Sequence, residues 1–141
     1  MTLEQYSKTS YKLSKKLTVA YSTSFSWGIK VFKPEFRDPI FAIYSYVRIA
    51  DEIVDTFHNF DKEKLLKKFE ADTWEAIENG ISTNPVLQAF QETVNKYKID
   101  HNLIKAFLKS MEMDLSNSSY NRENYDDYIY GSAEVVGLMC L

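Results

Sequence analysis

Only four glycines and three prolines interrupt the 141 residues, and the stretches between them repeat their apolar residues at helical rather than alternating spacing. A chain so poor in turn formers, with no period-two runs, has one economical solution: helices packed on helices. The end signals divide it. Thr2 with Gln5 reads as a capping box for a first helix to about Ala20, with Tyr6, Leu13 and Leu17 on one face and Lys8, Lys12, Lys15 and Lys16 mostly opposite. Lys33-Pro34 is expected to end the short segment before it. Asp38-Pro39 reads as cap and first position of a long helix to about Phe57. A third helix is expected over 61–79, with Leu66, Phe69, Thr73 and Ile77 inward and Gly80 as its stop. A fourth opens at Asn84-Pro85, a fifth near Asp100, and a sixth runs from about Asn121 to Leu141. The fold class is all-α.

Composition narrows the function. A net charge of -3 gives no basic footprint for nucleic acid. With 45% hydrophobic and 26% charged residues the chain reads as an ordinary globular one. Cys140 is the sole cysteine, so no internal disulfide is expected and a reducing cytoplasm is the default compartment. No stretch of about 18 apolar residues is present to span a bilayer; peripheral contact with a membrane stays open. Aromatic residues reach 15%, enough to fill a core or to wall a long apolar pocket. The final run, Val135-Val136-Gly137-Leu138-Met139-Cys140-Leu141, is apolar almost all round and reads as a buried helix cut in mid-element.

The stretch 40–57 carries the chemistry. Ile40, Phe41, Ile43, Tyr44, Tyr46, Val47, Ile49, Ala50, Ile53, Val54 and Phe57 cover most of its circumference, which predicts a central helix. It nevertheless holds Arg48, Asp51, Glu52 and Asp55. Asp51 and Asp55 stack one turn apart, about 5–6 Å between their stems, and Arg48 joins the same face. Neighbouring carboxylates on an apolar helix must be hydrated, protonated, salt-bridged or metal-bound, because burying an uncompensated ion costs several kcal/mol. A solvated stripe with an Arg48–Asp51 or Arg48–Glu52 ion pair would satisfy them. So would Mg²⁺, a hard cation that bridges carboxylates to phosphate oxygens, with the arginine facing the phosphates. Farther along, Asp114 interrupts the apolar face through Phe107 and Met111, and Tyr128, Ser132, Ala133 and Val136 share a face that admits a close neighbour. His58 and His101 read as surface or turn residues, without a partner constellation that suggests catalysis.

The segments Tyr21-Ser22-Thr23-Ser24-Phe25, Ala42 to Asp55, Met113-Asp114-Leu115 and Tyr128-Ile129-Tyr130-Gly131-Ser132-Ala133 occur in this order. Together they resemble the squalene/phytoene synthase family, with bacterial phytoene synthases the nearest in pattern, and the resemblance covers the whole chain. It implies an isoprenoid-synthase helical bundle and head-to-head condensation of two prenyl diphosphates through a cyclopropyl diphosphate. Asp51 and Asp55 then correspond to a first aspartate-rich motif holding Mg²⁺, or Mn²⁺ in its place, with Glu52 between them as a further candidate ligand. Arg48 corresponds to a diphosphate-contacting arginine and Tyr128 to a tyrosine at the reaction centre. Tyr21, Ser22 and Ser24 correspond to the segment near the diphosphate. Phe25 and Tyr44 match pocket-lining aromatics, Asp114 an acid facing the cavity, and Ser132 and Ala133 the small-residue face. Glu134 stands where many relatives have glycine.

The family's second aspartate-rich motif would lie beyond Leu141, so the resemblance makes residues 1–141 the N-terminal half of one domain, expected to be inactive without its C-terminal half. Geranylgeranyl diphosphate is the implied substrate and phytoene the product, with no NADPH required. A squalene or dehydrosqualene synthase acting on farnesyl diphosphate is the enzymatic alternative. A non-catalytic helical fragment or interaction module is the alternative of another class.

Overall fold

The chemistry at each helix end sets the elements. The structure, a computed structural model, describes residues 2–22, 27–116 and 135–140. Among the described residues no strand occurs, residues 27–29 are helical, and the longer elements are α1 (Leu3–Tyr21), α2 (Pro34–Asp55), α3 (Lys62–Asn79), α4 (Pro85–Tyr97), α5 (His101–Ser116) and α6 (Val135–Met139). The Thr2–Gln5 capping box is formed, the Gln5 amide donating to Thr2 Oγ1 at 3.1 Å and the Thr2 amide to Gln5 Oε1 at 2.9 Å. Asp61 caps α3 by accepting from the Lys64 amide, and Asn84 caps α4 ahead of Pro85. Gly80 ends α3 at φ 69°, the left-handed conformation that a helix stop favours in glycine. Lys98 adopts the same region at the end of α4, where the Ile99 amide donates back to the Val94 carbonyl.

Two sequence expectations are corrected. The long helix opens at Pro34, with Lys33 in an extended conformation before it, and Asp38-Pro39 lies inside it. Pro39 is still near the N-terminal end, where its missing N–H removes a single bond, so the helix passes through it. The buried stripe of α1 is Ser10, Ser14 and Thr18, whereas Leu13 is 44% exposed and Tyr6 and Leu17 are half-buried. Small hydroxyl residues let α1 lie close against its neighbours, and two of them satisfy their hydroxyls on the preceding turn: Ser10 donates to the Tyr6 carbonyl and Thr18 to that of Ser14.

As expected, α2 is central: it packs on every other described helix. Lys15 lies over the Phe41 ring and Arg48 over the Tyr21 ring, so α1 and α2 run side by side in the same direction. Tyr46 faces Phe69 and Thr73 of α3, which runs antiparallel after the short connection 56–61, and Phe107 of α5, which runs parallel to α2. The main core gathers around Tyr46, Phe90 and Phe107, each fully buried. Of the terminal apolar run, Met139 is buried, but Leu138 is 44% exposed and Gly137 lies on the surface, so α6 is not enclosed all round within this chain.

A candidate diphosphate site on the central helix

Positions 44, 48, 51 and 55 follow helical spacing, so Tyr44, Arg48, Asp51 and Asp55 form one stripe along α2. Both ion pairs open to Arg48 are made: its Nη2 lies 3.2 Å from Glu52 Oε1 and its Nη1 lies 3.9 Å from Asp51 Oδ2. Its guanidinium also sits over the Tyr21 ring, 4.9 Å from the centroid. Parallel packing of α1 on α2 thereby brings Tyr21 to the stripe, with half-buried Ser22 next to it as the C-cap of α1. Arg48 Nε is buried and has no hydrogen-bond partner among the described residues. A buried donor on a cation is left open beside an acidic face.

The acids are not equally enclosed. Glu52 is buried and Asp51 keeps 29% of its side-chain surface, whereas Asp55 is exposed. Asp114, half-buried one turn beyond the buried Met111 of α5, is carried to the same end of α2 because the two helices run parallel. Partial burial, then the charges of Asp55, Asp114 and Glu52, push the Asp51 carboxyl up to about 6, against the lowering influence of Arg48. Burial and Asp55 likewise raise Asp114, opposed by Lys62. Lys62 opens α3 and donates to the Val54 carbonyl. Its place beside Asp114 depends on the short 56–61 connection and has no signature in the sequence.

Among the described residues no three His, Cys, Asp or Glu side chains converge into a metal cage. The donor set is instead a line of hard carboxylate oxygens with excess negative charge. That fits a divalent ion which keeps several waters and takes one or two carboxylates together with phosphate oxygens. Ser24, Phe25, Tyr128, Ser132, Ala133 and Glu134 lie outside the described residues. Tyr44 is half-buried on the stripe. Toward the other end of α2, a cavity of about 310 Å³ is lined by Ile40, Ile43, Leu103, Met139 and Cys140 among others. Burial there pushes the Cys140 thiol up to about 11, so it stays protonated at neutral pH.

A second carboxyl pair lies between α3 and α5. Glu70 is raised to about 7, first by burial and then by the carboxyl of Glu112, and its Oε1 has no hydrogen-bond partner among the described residues. The folded chain holds this proton where the unfolded chain, at 4.5, has released it. Stability is therefore expected to fall as pH rises from about 4.5 to about 7. Glu70→Gln should raise stability at pH 8 by about 1 kcal/mol, after discounting for solvent screening, and leave it unchanged at pH 4. Melting temperatures across this range test it, and an unaltered slope in the variant would rule the pair out as its source.

Three comparisons bear on this site. The family model described as "Squalene/phytoene synthase" matches residues 18–141. The chain is 31% identical over 134 residues to a phytoene synthase of Arthrospira platensis, covering 94% of this chain and 43% of that protein. It is 32% identical over 126 residues to a chloroplastic phytoene synthase 1 of Arabidopsis thaliana, covering 84% of this chain and 28% of that one. Its fold is similar to that of a dehydrosqualene synthase crystallised with a ligand (TM-score 0.84, 20% identity, 97% of this chain and 48% of that one). It is equally similar to a squalene synthase of Alicyclobacillus acidocaldarius (TM-score 0.83, 22% identity, 99% and 53%). The chain thus spans less than half the length of these curated relatives and about half that of the solved structures.

Proposed function

The chain belongs to the squalene/phytoene synthase family, and from that premise we propose that its α2 stripe binds the diphosphate of a prenyl diphosphate with Mg²⁺. The reaction served is the head-to-head joining of two such molecules. The observation that carries this reading is the open, buried Nε of Arg48 beside Asp51, a carboxyl whose charge its surroundings disfavour. A cation relieves the repulsion among Asp51, Asp55 and Asp114, and an anion satisfies the arginine. A magnesium diphosphate brings both.

In the proposed arrangement Asp51 and Asp55 hold the ion, Glu52 keeps Arg48 in place, and Arg48 takes a phosphate oxygen through a charge-assisted hydrogen bond. Mg²⁺, when bound, neutralises the diphosphate and makes it a leaving group. The allylic cation left behind needs water excluded and aromatic faces nearby; Tyr21 and Tyr44 border the stripe. A hydrocarbon tail anchored at Asp51 and directed along α2 meets Ile43 and the apolar cavity about 12 Å away, at 1.5 Å of rise per residue. Tail burial contributes about 0.8 kcal/mol per methylene.

Geranylgeranyl diphosphate as substrate and phytoene as product is the reading we favour, because both curated relatives compared above are named phytoene synthases. Titration calorimetry of the chain with non-hydrolysable thio-diphosphates of fifteen and twenty carbons tests both levels. Binding is expected to be strong in Mg²⁺ and only weak in EDTA, and tighter for the twenty-carbon probe. A preference for the fifteen-carbon probe would reassign the substrate to farnesyl diphosphate. Binding indifferent to Mg²⁺, or no binding, would overturn the site.

A further inference from the structure

The acids proposed to hold Mg²⁺ lie at the C-terminal end of α2, and that end is secured by a residue of another helix. Asp51, Glu52 and Asp55 crowd the last two turns, and the final turn has no basic residue of its own. The partial negative charge of a helix C-terminus adds to theirs. The last carbonyls of a helix also lack partners within it. Here the Glu52 carbonyl accepts from the amides of Thr56 and Phe57. His58, whose amide would meet the Val54 carbonyl if the helix ran on, donates to the Thr56 carbonyl. The Val54 carbonyl takes the Lys62 ammonium in its place.

Lys62 does nothing for its own helix. It is the first residue of α3, behind the Asp61 cap, where the positive end of the helix dipole repels an ammonium. It is half-buried, and its charge also acts on Asp114, opposing the effects of burial and Asp55 there. One ammonium thus serves two elements other than its own: the last turn of α2 and the acid that α5 carries to it. Asp55 follows Val54 directly, exposed on the final residue of α2. If that turn frayed, Asp55 would leave the line it forms with Asp51. We propose that Lys62 is a positioning residue for the metal site: by bonding the Val54 carbonyl it keeps the last turn of α2 wound and Asp55 in register with Asp51. The inference rests on Asp51 and Asp55 being the ion's ligands, and adds a residue that touches neither ion nor diphosphate.

Calorimetry of the whole chain with the twenty-carbon thio-diphosphate at increasing Mg²⁺, paired with amide hydrogen exchange, tests this. Lys62→Met keeps the apolar stem and removes the ammonium. The Mg²⁺ concentration for half-maximal binding should rise about tenfold, the scale of losing an outer partner of a metal ligand. Weak binding in EDTA should change by less than about threefold, since a half-exposed charge is screened. Exchange at the Thr56 and Phe57 amides should quicken about tenfold while the middle of α2 is unchanged. Lys62→Arg, which returns a donor for the carbonyl, should recover most of both losses. The direction of the Mg²⁺ effect is decisive. A lysine acting through charge alone repels the ion, so its removal would lower the Mg²⁺ requirement; that result, or no change, would overturn the proposal. So would unaltered exchange at Thr56 and Phe57, or equal weakening in Mg²⁺ and EDTA, which would make Lys62 a phosphate contact. Loss of Mg²⁺-dependent binding already in the wild-type chain would instead remove the ligand reading itself, and the positioning role with it.

Discussion

Tyr46→Ala is expected to cost about 3–5 kcal/mol, the range for removing a large buried aromatic, which is enough to unfold much of a domain stable by 5–15 kcal/mol. The Tyr46 ring stacks on Phe90 at 3.7 Å between centroids and 4° between planes, with Phe69 at 4.9 Å and Phe107 at 6.0 Å. Three helices therefore meet α2 at one ring, and its loss opens a void that all of them border. Tyr46→Phe separates packing from polarity. Thr73 Oγ1, 3.0 Å from the phenol oxygen, also lies 2.7 Å from the Phe69 carbonyl and keeps that partner. Removing the hydroxyl should therefore cost only about 1 kcal/mol. Urea denaturation of both variants measures the two values. A loss below about 1 kcal/mol for the alanine variant would mean that the core around α2 is not packed as described.

The parts of this molecule that local chemistry decides are readable from residue order. Asp61, Gly80, Asn84 and Pro85 delimit α3 and α4 as their caps require, and the spacing of Arg48, Asp51 and Asp55 fixes them on one face of α2. Where two local signals compete, contacts from outside the helix choose. Pro34 and Pro39 could each open a helix, and the earlier one does so with Arg37, on the added turn, donating to the Lys30 and Phe32 carbonyls that precede it. The buried stripe of α1 went unread for a different reason: close helix approach favours Ser10, Ser14 and Thr18 over the larger Leu13, a preference that hydropathy does not register. Tyr21 beneath Arg48 and Asp114 beside Asp51 follow from two parallel helix pairings, and parallel neighbours require long connections whose course no local pattern encodes. The high aromatic content suggested core or pocket wall, yet Trp27, Phe32, Phe36 and Phe60 are exposed. Sequence reports an aromatic residue's size; only the fold reports which side of the surface it occupies.

Asp51→Asn is expected to change the sign of its effect with the metal. On the proposed arrangement the substitution would remove an anionic ligand of Mg²⁺ from the line Asp51, Asp55, Asp114, and affinity for a thio-diphosphate probe should fall about 100-fold, the loss typical of one charged contact in a partly buried site. In EDTA the same substitution removes a negative charge that repels the diphosphate and partly occupies Arg48, whose Nη1 lies 3.9 Å away. Weak metal-free binding should then strengthen, by about threefold to tenfold. Arg48→Gln is the complement. It weakens binding in both buffers, since it removes the cation and its buried, open Nε together. Asp55→Asn should match Asp51→Asn in Mg²⁺ but gain less in EDTA, because Asp55 is exposed and its field is better screened by water. The sign change distinguishes metal ligation from ordinary electrostatics. A solvated acidic stripe repels an anion in every buffer, so each neutralised acid would improve binding with or without Mg²⁺. Only a carboxylate that holds the metal can be repulsive without it and indispensable with it. If Asp51→Asn shifted affinity in the same direction in Mg²⁺ and in EDTA, the acids of α2 would not be the ion's ligands.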